Sequence, residues 1–513
     1  MTTYERGRDL ARRRPRLAVD VRGALHIVGL LTAYLSLATI APALVALGYR
    51  ESPWPFLVAG AIVGGAGLGA VYLTRGEHRL GVREGFLVVS LTWLVAAALG
   101  ALPFLLSGDP QLNRPVDAYF EGMSGFSTTG GSLVTDVEAL PRGLAIWRQL
   151  MQWLGGIGII VLALAVLPRL RVGGRQLLEH EMPGPEIETL STRITDTARR
   201  VWILYIGLTA TLCAILLGLG FSGIDEEMTP FQAVAHALTT IPTAGFSTKA
   251  RSFEDFGAAS QWVVIVFMVL GGINFALMYR AIVRRQPRAA TREEELRLYF
   301  LLLLVGCVIL ATEVLTEHVL AGEKAIRTSI FTAVSTMTTT GFSVADYNTW
   351  PTLALMTIVG LMFVGGSAGS TTGSVKVVRH VLLGKILRRE IDQTLHPEVV
   401  LPIRLNRRVV EERTLRAVSS FVLLYIGIFI LGAAAIAIDA ARTGLPLSVL
   451  DAISVSASML ANVGPAFGIG GPLGSFEPFS DASTIVMTIL MWLGRLEVIP
   501  IVVLLSRHYW KNA

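Results

Sequence analysis

The feature that most constrains this chain is a set of apolar blocks. Ala24–Leu47, Trp54–Leu73, Gly85–Leu106, Val201–Phe221, Leu298–Leu320, Val418–Ile438 and Thr484–Leu505 each match the roughly 20 residues that a helix needs to cross a hydrocarbon core. With 52% hydrophobic and 16% charged residues, against about 25% charged in a soluble domain, soluble, fibrous, disordered and outer-membrane barrel folds are excluded. The chain reads as an all-α polytopic membrane protein.

Cys213 and Cys307 lie inside apolar blocks, so they read as packing residues rather than a disulfide or zinc framework. The net charge of +6 is explained by topology rather than by nucleic-acid binding. Basic clusters at Arg12–Arg22, Arg75–Arg83, Arg169–Arg175 with Arg193–Arg200, Arg280–Arg297, Lys376–Arg389, Arg404–Arg416 and Arg507–Lys511 alternate with segments poor in Lys and Arg. The positive-inside rule then places both termini in the cytoplasm, in a multi-pass protein of the cytoplasmic (inner) membrane. The start, with Arg12, Arg13, Arg14 and Arg16, reads as a cytoplasmic tail rather than a signal peptide.

Four of the outer segments begin with a helix-like stretch of about a dozen residues, uncharged in its body apart from His236, and then break at glycine. Such stretches are too short to span and read as re-entrant. Irregular backbone at membrane depth is tolerated only where protein buries it or it lines a water-filled cavity. Aligned on one glycine, the loops read Ser127-Thr128-Thr129-Gly130, Pro242-Thr243-Ala244-Gly245, Thr338-Thr339-Thr340-Gly341 and Ala461-Asn462-Val463-Gly464. Six residues earlier stand Ser124, Thr239, Ser335 and Ser458; thirteen earlier stand Asp117, Gln232, Thr328 and Asp451, polar residues suited to a helix start. Gly155-Gly156, Gly271-Gly272, Gly365-Gly366 and Gly494-Arg495 follow by 25, 26, 24 and 30 residues.

The chain therefore divides into a tail over 1–23, two added spans over 24–75, repeats over 84–175, 199–285, 297–390 and 413–507, and a tail over 508–513. Each repeat is span, pore helix, glycine loop, span. Four such units in pseudo-fourfold arrangement around one pore would offer a dehydrating cation a ring of backbone carbonyls. The candidate ring is Thr128, Thr129 and Gly130; Thr243, Ala244 and Gly245; Thr339, Thr340 and Gly341; and Asn462, Val463 and Gly464. Glycine suits the unusual backbone angles that turning carbonyls inward requires, and the helix C-terminal ends would favour a cation. No clustered acid, nucleophile or metal set points to an enzyme.

A break in the second helix of repeat three is equally legible. Gly365, Gly366, Gly369, Ser370, Thr371, Thr372 and Gly373 interrupt the apolar run, which resumes at Ser374–Leu387. A phosphate-binding loop would end in Gly-Lys-Ser/Thr, whereas this one reads Gly373-Ser374-Val375-Lys376. Arg495 falls about mid-way through the last apolar block, where an arginine costs about 3 kcal/mol or more and usually faces a cavity. Glu497 is two residues away, so a direct pair on one helix is not expected. Arg495 reads as a pore-facing cation. His236 reads as a hydrogen-bonding or packing residue, Glu313 and Glu317 as interfacial, and Gly64, Gly65, Gly67 and Gly69 as helix contacts. His180-Glu181 lacks the second His of a zinc-protease motif.

At Gly341-Phe342-Ser343, at Gly365 through Lys376 and at Leu493-Gly494-Arg495-Leu496-Glu497, the sequence resembles the Trk/Ktr/HKT superfamily of potassium transporters, and within it the TrkH-like membrane subunit. The resemblance implies one K⁺ pathway per protomer, a homodimer, K⁺ preference from glycine in all four filters, and an intramembrane gating loop over 365–373. It puts Lys376 near that loop's cytoplasmic end and Arg495 beside the loop. It also implies a cytosolic TrkA-like nucleotide-binding ring as regulator, for which the basic inner face would be the docking surface. Coupling to H⁺ or Na⁺, and Na⁺ permeation, stay open. The resemblance implies K⁺ as the transported ion, and no organic cofactor is expected in this chain.

Overall fold

The computed structural model describes residues 19–76, 78, 81–165, 190–286 and 293–511. Arg12, Arg13, Arg14 and Arg16 of the N-terminal tail, the Arg169–Arg175 cluster and His180-Glu181 lie outside the described residues.

Among the described residues, six helices are long and apolar enough to cross a membrane: Val21–Gly48, Trp54–Leu73, Arg83–Ser107, Ala198–Phe221, Glu294–Thr316 and Glu412–Thr443. These are six of the seven apolar blocks, and the protein is a multi-pass, largely helical membrane protein. The seventh block is not one straight helix. It is two helices, Asp481–Arg495 and Ile499–Leu505, bent by 112° at a short break. Arg495 consequently ends a helix at a corner, instead of standing in the middle of a straight one.

The first two spans pack closely because Gly29 and Gly67 face each other: a Cβ on Gly67 would lie 2.7 Å from the Gly29 carbonyl oxygen, and Gly64 faces Ser36. Gly65 and Gly69 face open space, so only two of that glycine quartet serve the contact.

Four short helices precede the glycine loops: Pro115–Phe126, Pro230–Thr240, Gly322–Met337 and Val449–Ala461. Their starts are set by local chemistry. Thr229 caps the second by accepting from the Gln232 amide, and Ser448 and Asp451 cap the fourth reciprocally. The third begins at Gly322, so Thr328 is an interior, buried residue rather than a start. The first carries a fully buried Glu121 and the third carries Glu323, Lys324 and Arg327, so these bodies are not uncharged as expected.

After each loop a second helix returns. Arg142–Ala165 runs straight through its glycine pair. The other three break there: Ala258–Gly271 bends by 108° into Phe275–Ile282, Thr352–Met362 stops until Val377–Leu395, and Asp481–Arg495 turns its corner. The resumption at Val377 is three residues later than the sequence suggests. A two-stranded antiparallel hairpin pairs Arg404 with Val409 and Leu405 with Arg408, its turn made by Asn406 and Arg407 at positive φ.

Candidate functional site

The four glycine loops share one backbone conformation. In each, the residue two before the glycine and the glycine itself have positive φ: Thr128 (56°) and Gly130 (84°), Thr243 (52°) and Gly245 (82°), Thr339 (55°) and Gly341 (81°), Asn462 (57°) and Gly464 (106°). The residue between them does not. An alternation in the sign of φ turns successive peptide planes to the same side, unlike a strand, whose carbonyls alternate. Sequence reasoning assigned the strain to glycine alone. Three threonines and an asparagine share it, at a cost of about 1–2 kcal/mol per residue.

The loops are neighbours in cyclic order. A Cβ on Gly130 would strike the carbonyl oxygen of Ala244; on Gly245, that of Thr340; on Gly341, that of Val463. On Gly464 it would lie 2.6 Å from the carbonyl oxygen of Thr129, which closes the circuit. Glycine is thus required twice at each position, by backbone angle and by the approach of the next loop. All twelve residues of the candidate ring come together and all twelve but Gly130, Gly245, Gly341 and Gly464 count among the buried side chains. Among the described residues, only the Ala244 carbonyl of the twelve accepts a protein hydrogen bond, from Gln152. The other eleven are left free to meet a cation in low-dielectric surroundings.

Hydroxyls tie loops one and three to the helices before them. Ser124 Oγ donates to the Gly131 carbonyl at 2.5 Å and Ser335 Oγ to the Phe342 carbonyl at 2.7 Å. Thr239 turns back on its own helix instead, toward Ala235 and His236. Ser127 pairs with Thr129 at 2.7 Å, as Thr338 does with Thr340 at 2.8 Å.

Behind the loops lies the irregular stretch between Met362 and Val377, where Ser367, Ser370, Thr371, Thr372, Ser374 and Lys376 are buried. Its contacts explain its composition. Thr371 Oγ1 meets Thr243 Oγ1 at 3.0 Å, and the Gly373 amide donates to Thr339 Oγ1 at 2.9 Å. A Cβ on Gly373 would overlap the Ala461 carbonyl of the fourth repeat. The Ser367 amide donates to the Gly272 carbonyl, and Asn274 Nδ2 to the Ala368 carbonyl at 2.7 Å. Ser370 and Thr372 pair at 2.8 Å, and the Thr372 hydroxyl receives the Gly366 amide. Gly365 and Gly369 both have positive φ, 74° and 76°. The stretch from Gly365 to Gly373 therefore forms one compact plug, hydrogen-bonded to glycine loops two and three and packed on loop four.

Arg495 is 2% exposed. Its Nη1 donates to the Thr371 carbonyl at 3.0 Å and its Nη2 to the Gly155 carbonyl at 3.4 Å, while Nε has no partner among the described residues. It does not pair with Glu497, as expected, but for a different reason: the helix has ended. Glu497 instead receives Lys376 Nζ at 2.9 Å and Arg379. Lys376, Glu497 and Val498 all have positive φ. Both ends of this ion pair thus carry backbone strain, which persists only where surrounding structure imposes it.

Two features escaped the sequence reading. Glu121, on the first pore helix, pairs with Arg148 Nη2 at 2.6 Å; both are buried to within 1% exposure. Arg148 also donates to Ser132 Oγ at 2.9 Å and lies 4.1 Å from the Phe246 ring centre. The aligned position in repeat two is His236, which meets Ser247, the counterpart of Ser132, at 2.9 Å and packs edge-on against Phe253 and Phe256. The second is Gln152, whose Nε2 donates to the Ala244 carbonyl at 2.5 Å and whose Oε1 accepts the Phe246 amide at 3.0 Å. The signal available in the sequence is a second acid, Glu121, one turn beyond Asp117 in a short helix, with Arg148 in the following helix as its counter-charge.

A multi-pass helical membrane protein in which four glycine loops converge, backed by a buried polar plug, defines the class of cation-pathway proteins. The family described as TrkH, cation transport protein, matches residues 58–511. The Trk system potassium uptake protein TrkH of Vibrio parahaemolyticus is 34% identical over 507 residues, covering 96% of this chain and all of that protein. The TrkH of Escherichia coli K12 is 36% identical over 504 residues, 96% and 99% of the two chains. The crystal structure of the potassium transporter TrkH from Vibrio parahaemolyticus superposes with a TM-score of 0.85 at 32% identity, covering 96% of this chain and all of that one. The chain belongs to the TrkH family. It is a transport protein, not an enzyme.

Proposed function

We propose that this protein takes up K⁺ across the cytoplasmic membrane through a filter made by its four glycine loops, arranged with pseudo-fourfold symmetry around one pore. The observation that carries the reading is the closed circuit of Gly130, Gly245, Gly341 and Gly464, each against the carbonyl preceding the next loop's glycine. The relatives named as potassium uptake proteins support K⁺ as the ion. A filter with no side-chain charge selects by dipoles, and carbonyl rings replace the hydration shell of a weakly hydrated alkali ion.

In this reading the repeats span 84–175, 199–285, 297–390 and 413–507, and both termini are cytoplasmic. The plug over 365–373 is the gate. Lys376 anchors its far end to Glu497, and Arg495 sets a positive charge on the ion's route, held to the plug by Thr371. The protein works as a homodimer under a cytosolic TrkA-like ring that binds nucleotide, docked on the basic inner face. Flux follows the membrane potential, without chemistry in this chain.

The test is growth of a K⁺-uptake-deficient bacterium in low K⁺ with this gene supplied, followed by K⁺ flux in liposomes against imposed pH and Na⁺ gradients. Rescue with voltage-driven flux indifferent to both gradients is the expected result. Flux that tracks either gradient would establish coupled symport in its place, and absence of rescue with the protein present in the membrane would contradict K⁺ uptake.

A further inference from the structure

The four repeats differ at one layer of their second helices. Counted three residues before the aligned glycines Gly155, Gly271, Gly365 and Gly494, the residues are Gln152, Met268, Met362 and Met491. In repeats one, two and four the alignment is structural as well, whereas Gly365 of repeat three packs on Gly373 and Ser374. A Cβ on Gly155 would strike the carbonyl of Phe126 and one on Gly494 that of Leu460, while one on Gly271 would lie 3.0 Å from that of Ile241. Each carbonyl belongs to the residue four before its own filter glycine. All four side chains in the layer are fully buried. Three repeats fill it with a thioether, and one with an amide.

That amide is fully used on the filter side. Gln152 Nε2 donates to the Ala244 carbonyl and Oε1 accepts from the Phe246 amide, so the two bonds straddle Gly245. Arg148, one helical turn earlier, lies against the Phe246 ring and is itself fixed by Glu121. Loop two is therefore pinned from repeat one at both its backbone and its side chain. The pinned carbonyl is a ring member: it is the oxygen that faces Gly130.

We propose that Gln152 is a positioning residue that sets cation discrimination, resting on the filter reading above. Its amide holds loop two at fixed width and occupies part of the acceptor capacity of one carbonyl in the ring. An ion at that level meets three free carbonyls and one attenuated by a hydrogen bond. Without the amide, loop two can close on a smaller ion and the fourth carbonyl regains its full field, and both changes favour Na⁺.

Gln152→Met supplies the residue that the other repeats carry in this layer. The measurement is the K⁺/Na⁺ permeability ratio from reversal potentials of the full chain in liposomes. A fall of about three- to tenfold is expected, the range that one lost hydrogen bond commands. Met268→Leu, a packing change in the same layer, is expected to leave the ratio unaltered. An unchanged ratio in Gln152→Met, or an equal fall in Met268→Leu, overturns the proposal. If Gln152→Met fails to reach the membrane, Gln152→Leu is read in its place with the same criteria. A wild-type protein that passes K⁺ selectively while Gln152→Met matches it refutes this inference alone; a wild type that fails to conduct K⁺ refutes the filter reading.

Discussion

The guanidinium of Arg495 and the backbone carbonyl of Thr371 are joined at 3.0 Å, across 124 residues of sequence. One residue ends a helix in the fourth repeat and the other lies at the centre of the plug in the third. Arg495 thus contributes a buried positive charge beside the loops and one of the bonds that keep the plug seated.

Removing Arg495 takes away both. Arg495→Ala is expected to raise basal K⁺ flux in liposomes without a regulator present, because a buried cation repels the permeating ion strongly in low dielectric. Flux that is unchanged or lower, with normal expression, would count against the role.

Gly130→Ser introduces a Cβ at φ 84° directly against the Ala244 carbonyl. The backbone angle alone costs about 1–2 kcal/mol, and the collision must be relieved by moving loop two outward. The K⁺/Na⁺ ratio, measured by ion competition in uptake assays, should fall. Retention of the original ratio would undermine the filter assignment.

The Glu121–Arg148 pair should behave as buried pairs do: removing one partner costs about 3–5 kcal/mol, while replacing both with apolar residues is close to neutral. Glu121→Leu and Arg148→Met are expected each to lower the unfolding temperature of the purified protein, and the double variant to recover most of the loss. Additive losses in the thermal melts would show that the two residues act separately.

Glu497→Gln removes the carboxylate shared by Lys376 and Arg379. A buried lysine and a partly buried arginine are left facing an amide, so the plug's anchor weakens. Higher protease sensitivity of the segment around Lys376, compared with wild type, is the expected readout; equal cleavage rates would mean that the anchor is dispensable.

Much of this architecture is legible in the residues. Apolar length identifies six of the spans, and the aligned glycines locate all four loops, because both signals are local. What escaped depends on contacts between repeats. The straight-helix reading of Thr484–Leu505 failed because hydropathy is blind to a corner at Leu496–Val498, where a β-branched valine takes positive φ. Thr128, Thr243, Thr339 and Asn462 gave no hint of the same backbone strain, since their side chains are ordinary there in composition. Gln152 and Glu121 carry no local signal of their own; their meaning appears only when loop two and Arg148 are beside them.

The most direct test of the central claim is a structure of the protein in Rb⁺, with the ion located by its anomalous signal. A peak on the axis enclosed by Gly130, Gly245, Gly341 and Gly464, within coordination distance of their neighbouring carbonyls, is the expected result. Rb⁺ bound elsewhere with that axis empty would contradict it.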